Sequence, residues 1–180
     1  MPAASAPVRG PFGRALDRLY DATAALGAVA MVLLLVAVML SIVSREIGFN
    51  IPGIDAYAGY MMAAAGFLAL AHTLKKGEHI RVTLLLSSLR GGARRGLEIW
   101  ALFAASLLAW LFAVYSCKLA WQSYTFHDVS TGNDATPLWL PEIAMALGAV
   151  VLAIALVDEL VLELRGERFV PQSDEATRNE

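Results

Sequence analysis

The stretch Ala22–Ser44, ATAALGAVAMVLLLVAVMLSIVS, runs for 23 residues without an Asp, Glu, Lys or Arg. Its middle, Met31–Leu40, is apolar on every face, so it reads neither as an alternating barrel strand nor as a one-sided surface helix. A bilayer core takes about 20 apolar residues of helix, and the pattern recurs further along the chain. Ala56–Leu74 and Ile99–Cys117 are each 19 residues free of those four residue types. Ile143–Val157 is 15 residues long, and it suffices if its helix runs from Leu138 to Leu162 with Glu142 and Asp158 near the two surfaces. The spacing predicts an all-α integral membrane protein with four transmembrane helices, at 22–44, 56–74, 99–121 and 138–162. Composition agrees, with 58% apolar and 17% charged residues, against roughly half and a quarter in soluble domains. Three long charge-free segments in so short a chain argue against a soluble helical bundle.

Orientation follows from Lys and Arg, which accumulate on the cytoplasmic side of a membrane protein. The N-terminal segment, the loop after the second span and the C-terminal tail together hold twelve basic residues; the first and third loops hold only Arg45 and Lys118. Both termini and the central loop are therefore expected in the cytoplasm, in a multi-pass protein of the bacterial inner membrane. The first apolar run is too long for a signal peptide and ends in Ser44-Arg45-Glu46 without a small-x-small cleavage site, so it is read as a retained helix. Residues 1–13 read as a disordered leader, 14–168 as one membrane domain and 169–180 as a polar tail. Leu16, Leu19 and Tyr20 set against Arg14, Asp17 and Arg18 suggest a short N-terminal interfacial helix. Ile80–Leu86 suggests an amphipathic cytoplasmic segment at headgroup depth, with Arg81 and Arg90 reaching toward lipid phosphates. Trp100, Tyr115, Trp121, Tyr124 and Trp139 fall where anchoring aromatics belong.

No Asp, Glu, Lys or Arg lies in the middle of any span, and no proline interrupts one. Carriers place costly ionisable or unwound polar groups at that depth, so a substrate or coupling site built from this chain alone is not expected. His72, His79 and His127 do not pair at one depth on facing spans, and no thiolates cluster. No haem, metal, other cofactor or catalytic group is expected, and no nucleic-acid partner. The single Cys117 excludes an internal disulfide. Ser106, mid-span, reads as a back-bonding helix residue. Ala56, Gly59, Ala63 and Gly66 share one face of the second span, where small residues let helix backbones approach closely. That face fits either packing within the four-helix unit or a partner helix from another subunit.

After the second span stands Lys76-Gly77-Glu78-His79-Ile80-Arg81-Val82. This stretch resembles the basic-Gly-Glu-His-Ile-x-Val motif of the small membrane subunit of tripartite ATP-independent periplasmic (TRAP) transporters. Ser44-Arg45 closing the first span, the turn Asn50-Ile51-Pro52, and Ser130-Thr131-Gly132 followed by Pro137-Leu138-Trp139-Leu140-Pro141 are similar to the same family. The resemblance covers about Ala15 to Arg168. The chain departs from many members at Gly53-Ile54-Asp55-Ala56, which keeps one acidic residue and no Trp. The resemblance implies a non-enzymatic scaffold beside a large membrane subunit that holds the substrate and sodium sites, supplied by a periplasmic solute-binding protein. It leaves the solute open among C4-dicarboxylates, sugar acids, other organic acids and compatible solutes. It also implies structural or partner-contact roles for Arg45, Lys76, Gly77, Glu78, His79, Arg81, Gly132, Pro137, Trp139 and Pro141. A competing reading is a membrane anchor for a redox or other enzyme complex; another is a free-standing small transporter.

Overall fold

A computed structural model of the chain describes residues 11–49, 51–76 and 92–166. They form four helices: α1 (Pro11–Glu46), α2 (Ile54–Lys75), α3 (Gly92–Phe126) and α4 (Trp139–Arg165). All four are long and apolar enough to cross a membrane. The chain is thus an all-helical, multi-pass membrane protein. Its one β feature among the described residues is an isolated bridge between Val129 and Pro137.

The 36 residues of α1 make a rod of about 54 Å, well beyond a hydrocarbon core of about 30 Å. Residues 14–21 are its first turns, continuous with the span rather than a separate interfacial helix. Likewise α3 runs past the expected span at both ends. The amphipathic segment expected at Ile80–Leu86 lies outside the described residues.

Helix α2 sits between neighbours. It packs against α1 on one side and α4 on the other, α3 packs against α4, and α1 meets α4 only narrowly. Small residues make each seam close. Between α1 and α2, a Cβ on Gly27 would lie 3.3 Å from the Ala65 carbonyl oxygen and 3.4 Å from the Ala69 nitrogen. Ala30, Ala64, Ala65 and Leu68 form a buried cluster at the same seam. Between α2 and α4, a Cβ on Gly148 would stand 2.5 Å from the Phe67 carbonyl oxygen, so only glycine fits. Between α3 and α4, Ala113 meets Ala149 and Ala153, and Ser106, Ser116 and Ser123 are buried along α3. Ser106 bonds back to the Leu102 carbonyl at 2.7 Å, which spends its hydroxyl within its own helix.

Large apolar side chains point the other way. Leu26, Val29, Val32, Leu35 and Met39 of α1, and Phe103, Leu107, Leu111 and Val114 of α3, are exposed. In water this would be an inside-out protein; in lipid it is the expected division. Lipid tails are as apolar as leucine, so burying leucine gains little there, and helix association relies on close van der Waals packing between small residues.

Two glycine substitutions separate these roles. Gly148→Val forces the α2 and α4 backbones apart and should cost about 1–3 kcal/mol or more, the usual range for overpacking. Gly66→Ala meets nothing within 4 Å and should leave stability unchanged or slightly raised. Thermal unfolding of the purified chain in detergent reads both, and equal effects would contradict the packing described.

Candidate interaction surfaces

At the end of the bundle where helices are joined by short connections, two polar ties hold α1, α2 and the α3–α4 loop together. Asp55, in the first turn of α2 where the helix dipole favours an acid, accepts from Ser41 Oγ at 2.8 Å and from Arg45 Nη2 at 2.6 Å. Arg45, singled out by its place at the end of the first span, therefore closes the α1–α2 turn within its own chain. Both side chains of this ion pair are 68% exposed, so the pair orients the turn more than it stabilises it.

The second tie is the loop between α3 and α4. Val129 bridges Pro137, Ser130 N donates to the Thr136 carbonyl at 2.8 Å, and Leu138 N donates to the Asp128 carbonyl at 3.0 Å. Asp134 pins this hook to α2. Its carboxylate accepts from Ser130 Oγ at 2.7 Å and from Tyr60 OH at 2.9 Å. Thr136 Oγ1 donates to Tyr57 OH at 3.0 Å, and the Tyr57 and Tyr60 rings meet edge to face. The Ser130 bond foremost, then those of Thr136 and Tyr60, outweigh desolvation and lower the Asp134 pKa to about 2.

Two glycines make the hook possible. Gly53 has φ +80°, and a Cβ there would lie 2.8 Å from Asp134 Cα. A Cβ on Gly132 would stand 2.7 Å from Asp134 Oδ1, and the Gly132 N–H donates to Ser130 Oγ. Gly132 and Pro137 of the family-like motif are thus parts of one folded loop. Trp139 sets its ring edge-on to Tyr124 at 5.8 Å, and Pro141 lies in the first turn of α4, where its missing N–H costs no helical bond. Asp134, Tyr57 and Tyr60 were not singled out from sequence: 74 residues separate Tyr60 from Asp134, and no local pattern links them.

The opposite end gathers the start of α1 and the ends of α2 and α4. Lys75 lies near Asp17, Asp158 and Glu159, and His72 Nδ1 is 3.1 Å from Asp21 Oδ1. Arg95 of α3 donates to the Glu163 and Leu164 carbonyls at 3.4 and 3.2 Å, satisfying groups that end α4. Lys76 is exposed, and its backbone N–H caps α2 at the His72 carbonyl. Gly77, Glu78, His79 and Arg81 lie outside the described residues.

Among the described residues nothing packs on the two glycines of the small-residue face of α2. Gly59, Ala63 and Gly66 are exposed, Ala56 is half-buried, and neither glycine has an atom within 4 Å of where its Cβ would be. With Met62, Phe67 and Leu70 they line an open apolar groove of about 520 Å³. Phe67 stacks on Phe112 of α3 at 5.9 Å beside it. Among the described residues Gly59 and Gly66 form no seam within the four-helix unit. The internal seams use Gly27, Ala64, Ala65, Ala113, Gly148 and Ala149 instead. Among the described residues no group of three or more His, Cys, Asp or Glu is arranged to hold a metal.

The Asp134 tie carries a prediction with a definite pH sign. A carboxylate whose pKa is lowered on folding adds stability that is complete above the ordinary carboxylate pKa of about 4 and is lost as pH falls through about 2. The hook should therefore persist under mild acid. Asp134→Ala should remove the tie at neutral pH and raise amide exchange at Ser130 and Leu138 roughly tenfold. Asp128→Ala, which keeps the backbone bond, should not; protection that survives Asp134→Ala would contradict the assignment.

Comparison with known proteins places this geometry. No curated protein matches the chain. A family model described as "Tripartite ATP-independent periplasmic transporters, DctQ component" matches residues 34–166, from the middle of α1 to the end of α4 and across the hook and the outward face of α2. The chain belongs to that family, and is the small membrane subunit of a TRAP transporter rather than an enzyme.

Proposed function

We propose that this subunit is a rigid scaffold for the large membrane subunit. Together they take up a small organic acid or similar solute, delivered by a periplasmic binding protein and driven by an ion gradient, with sodium as the coupling ion. The chain sits in the bacterial inner membrane with both termini in the cytoplasm, as the twelve-to-two partition of basic residues favours. The observation that carries the reading is where charge resides. Among the described residues every charged side chain lies toward one end of the bundle or the other, and the middle of each span has none. No group is available there to bind an ion or polarise a substrate, so transport requires another subunit, and bracing is what remains for this one.

The groove on α2 is the surface offered to that subunit. At the internal seams Gly27, Ala65, Ala113, Gly148 and Ala149 face neighbouring helices. Gly59, Ala63 and Gly66 are small and face outward, which suits a transmembrane helix of the large subunit packing on them backbone to backbone.

Tagged large subunit, co-expressed with this chain, should capture it in equal amount. Gly66→Leu should cut capture at least fivefold while the variant alone stays folded, since among the described residues nothing lies within 4 Å of where its Cβ would be. Val36→Ala on the outer face of α1 should leave capture unchanged. Proteoliposomes holding only this chain should move no solute, and those holding both subunits with the binding protein should require a sodium gradient. Uptake by the chain alone would overturn the scaffold reading; full capture of Gly66→Leu would overturn the choice of surface.

A further inference from the structure

Before its charge-free run begins at Ala22, α1 has an arm of eleven helical residues, Pro11–Asp21. It continues the helix of the span, so what it touches decides its position against α2 and α4. Tyr20 is buried against Ala71 of α2 and Val151 and Ala155 of α4, with Leu16 packed on the same cluster. The polar contacts of the arm converge on the last turn of α2. Lys75 Nζ lies 3.9 Å from Asp17 on the arm, 2.7 Å from Asp158 and 3.6 Å from Glu159 on α4, and 5.5 Å from the centre of the Tyr20 ring. One turn earlier, His72 meets Asp21 at 3.1 Å. The Lys75 side chain is only 13% exposed.

We infer that Lys75 is an electrostatic clasp, and that the arm of α1 is a strap which comes away when this positive charge is removed, with the transmembrane packing left in place. One ammonium stands among three carboxylates from two helices that otherwise meet narrowly. With the charge present, Asp17 is drawn toward α4. Without it, the attraction that draws Asp17 toward the α4 side of the cluster is lost, and in a partly dehydrated setting that attraction is felt more strongly than in water. The carboxylates and Tyr20 have further interactions of their own, so replacing Lys75 isolates none of them. It removes the cation they share. Below Asp21, the α1–α2 seam around Gly27 and Ala65 involves no charge, which is why release stays local.

Spin labels on the full chain in nanodiscs, with Cys117→Ser as background, test this by pulsed distance measurement. Labels at exposed Arg14 on the arm and Arg165 at the end of α4 should give one narrow distance with Lys75 in place. Lys75→Met should broaden that distribution at least twofold, and Lys75→Arg should restore it. A second pair, at Val36 and Met62 across α1 and α2, should be unmoved by either substitution. A narrow arm distance in Lys75→Met, a Lys75→Arg variant as broad as Lys75→Met, or a Val36–Met62 distance that broadens in step would each overturn the clasp. Should Lys75→Met fail to fold, Asp17→Asn, at a side chain 42% exposed, should broaden the same distribution by removing the arm's own attraction to Lys75; a narrow distance there would overturn it too.

Discussion

The approach of Gly148 to the Phe67 backbone sets the distance between α2 and α4, and the arrangement of the other helices follows from it. α1 reaches the rest of the bundle mainly through α2, and α3 reaches it mainly through α4, so the α2–α4 seam joins two helix pairs into one body. In lipid such a seam cannot be held by burying leucine. It must come from many short contacts between atoms with little side chain in the way. A single Cβ at position 148 would stand 2.5 Å from a carbonyl oxygen that cannot move without its helix. One missing methyl group thus decides whether the two pairs can meet at all.

Close packing along the spans leaves their angle at the ends to be set, and there polar side chains take over. Ser41, Arg45 and Asp55 join α1 to α2 at one end, and Asp134 ties the α3–α4 loop to Tyr60 of α2. At the other end Lys75 spans α1, α2 and α4, and Arg95 joins α3 to the last carbonyls of α4. Ser41, Arg45 and Asp55, and likewise Arg95, tie helices that follow one another in the chain, while Asp134 and Lys75 also tie elements that do not. These contacts can be polar because they lie where water or headgroups are near and the cost of dehydrating a charge is modest. The same groups at mid-span would be expensive, and there the chain uses alanine, glycine and serine.

Much of this was legible in the residues and some of it could not have been. Charge-free runs reveal spans because a charge at mid-bilayer costs kilocalories, whatever the helix packs against. Helix ends were less legible: α1 and α3 outrun the bilayer because Asp17, Lys75 and Arg95 give their extra turns partners, and a count of apolar residues is blind to partners. Lys75 illustrates the limit. As a positive residue past the second span it serves the orientation rule, yet its contacts are internal. The small residues divide the same way. Gly66 and Gly148 read alike as letters in an apolar run, and only their neighbours separate an outward surface from an internal seam. Asp134 carried no signal of its own; its bond to Tyr60 closes a loop of 74 residues that no local spacing announces.

The outward face of α2 then acquires a sharper meaning. α2 is the helix through which α1 and α4 are held, so a partner seated on Gly59, Ala63 and Gly66 touches the most constrained element of the subunit rather than a peripheral one. Force applied there passes to α4 through the Gly148 contact and to α1 through Gly27 and Ala65, with little side-chain length to bend along the way. Flexible leucines at those seams would absorb displacement by changing rotamer. Backbone against backbone cannot. Stiffness is what this distribution of small residues supplies: inward at three seams they make one body, and under the proposed scaffold role those facing outward on α2 would present that body to the large subunit.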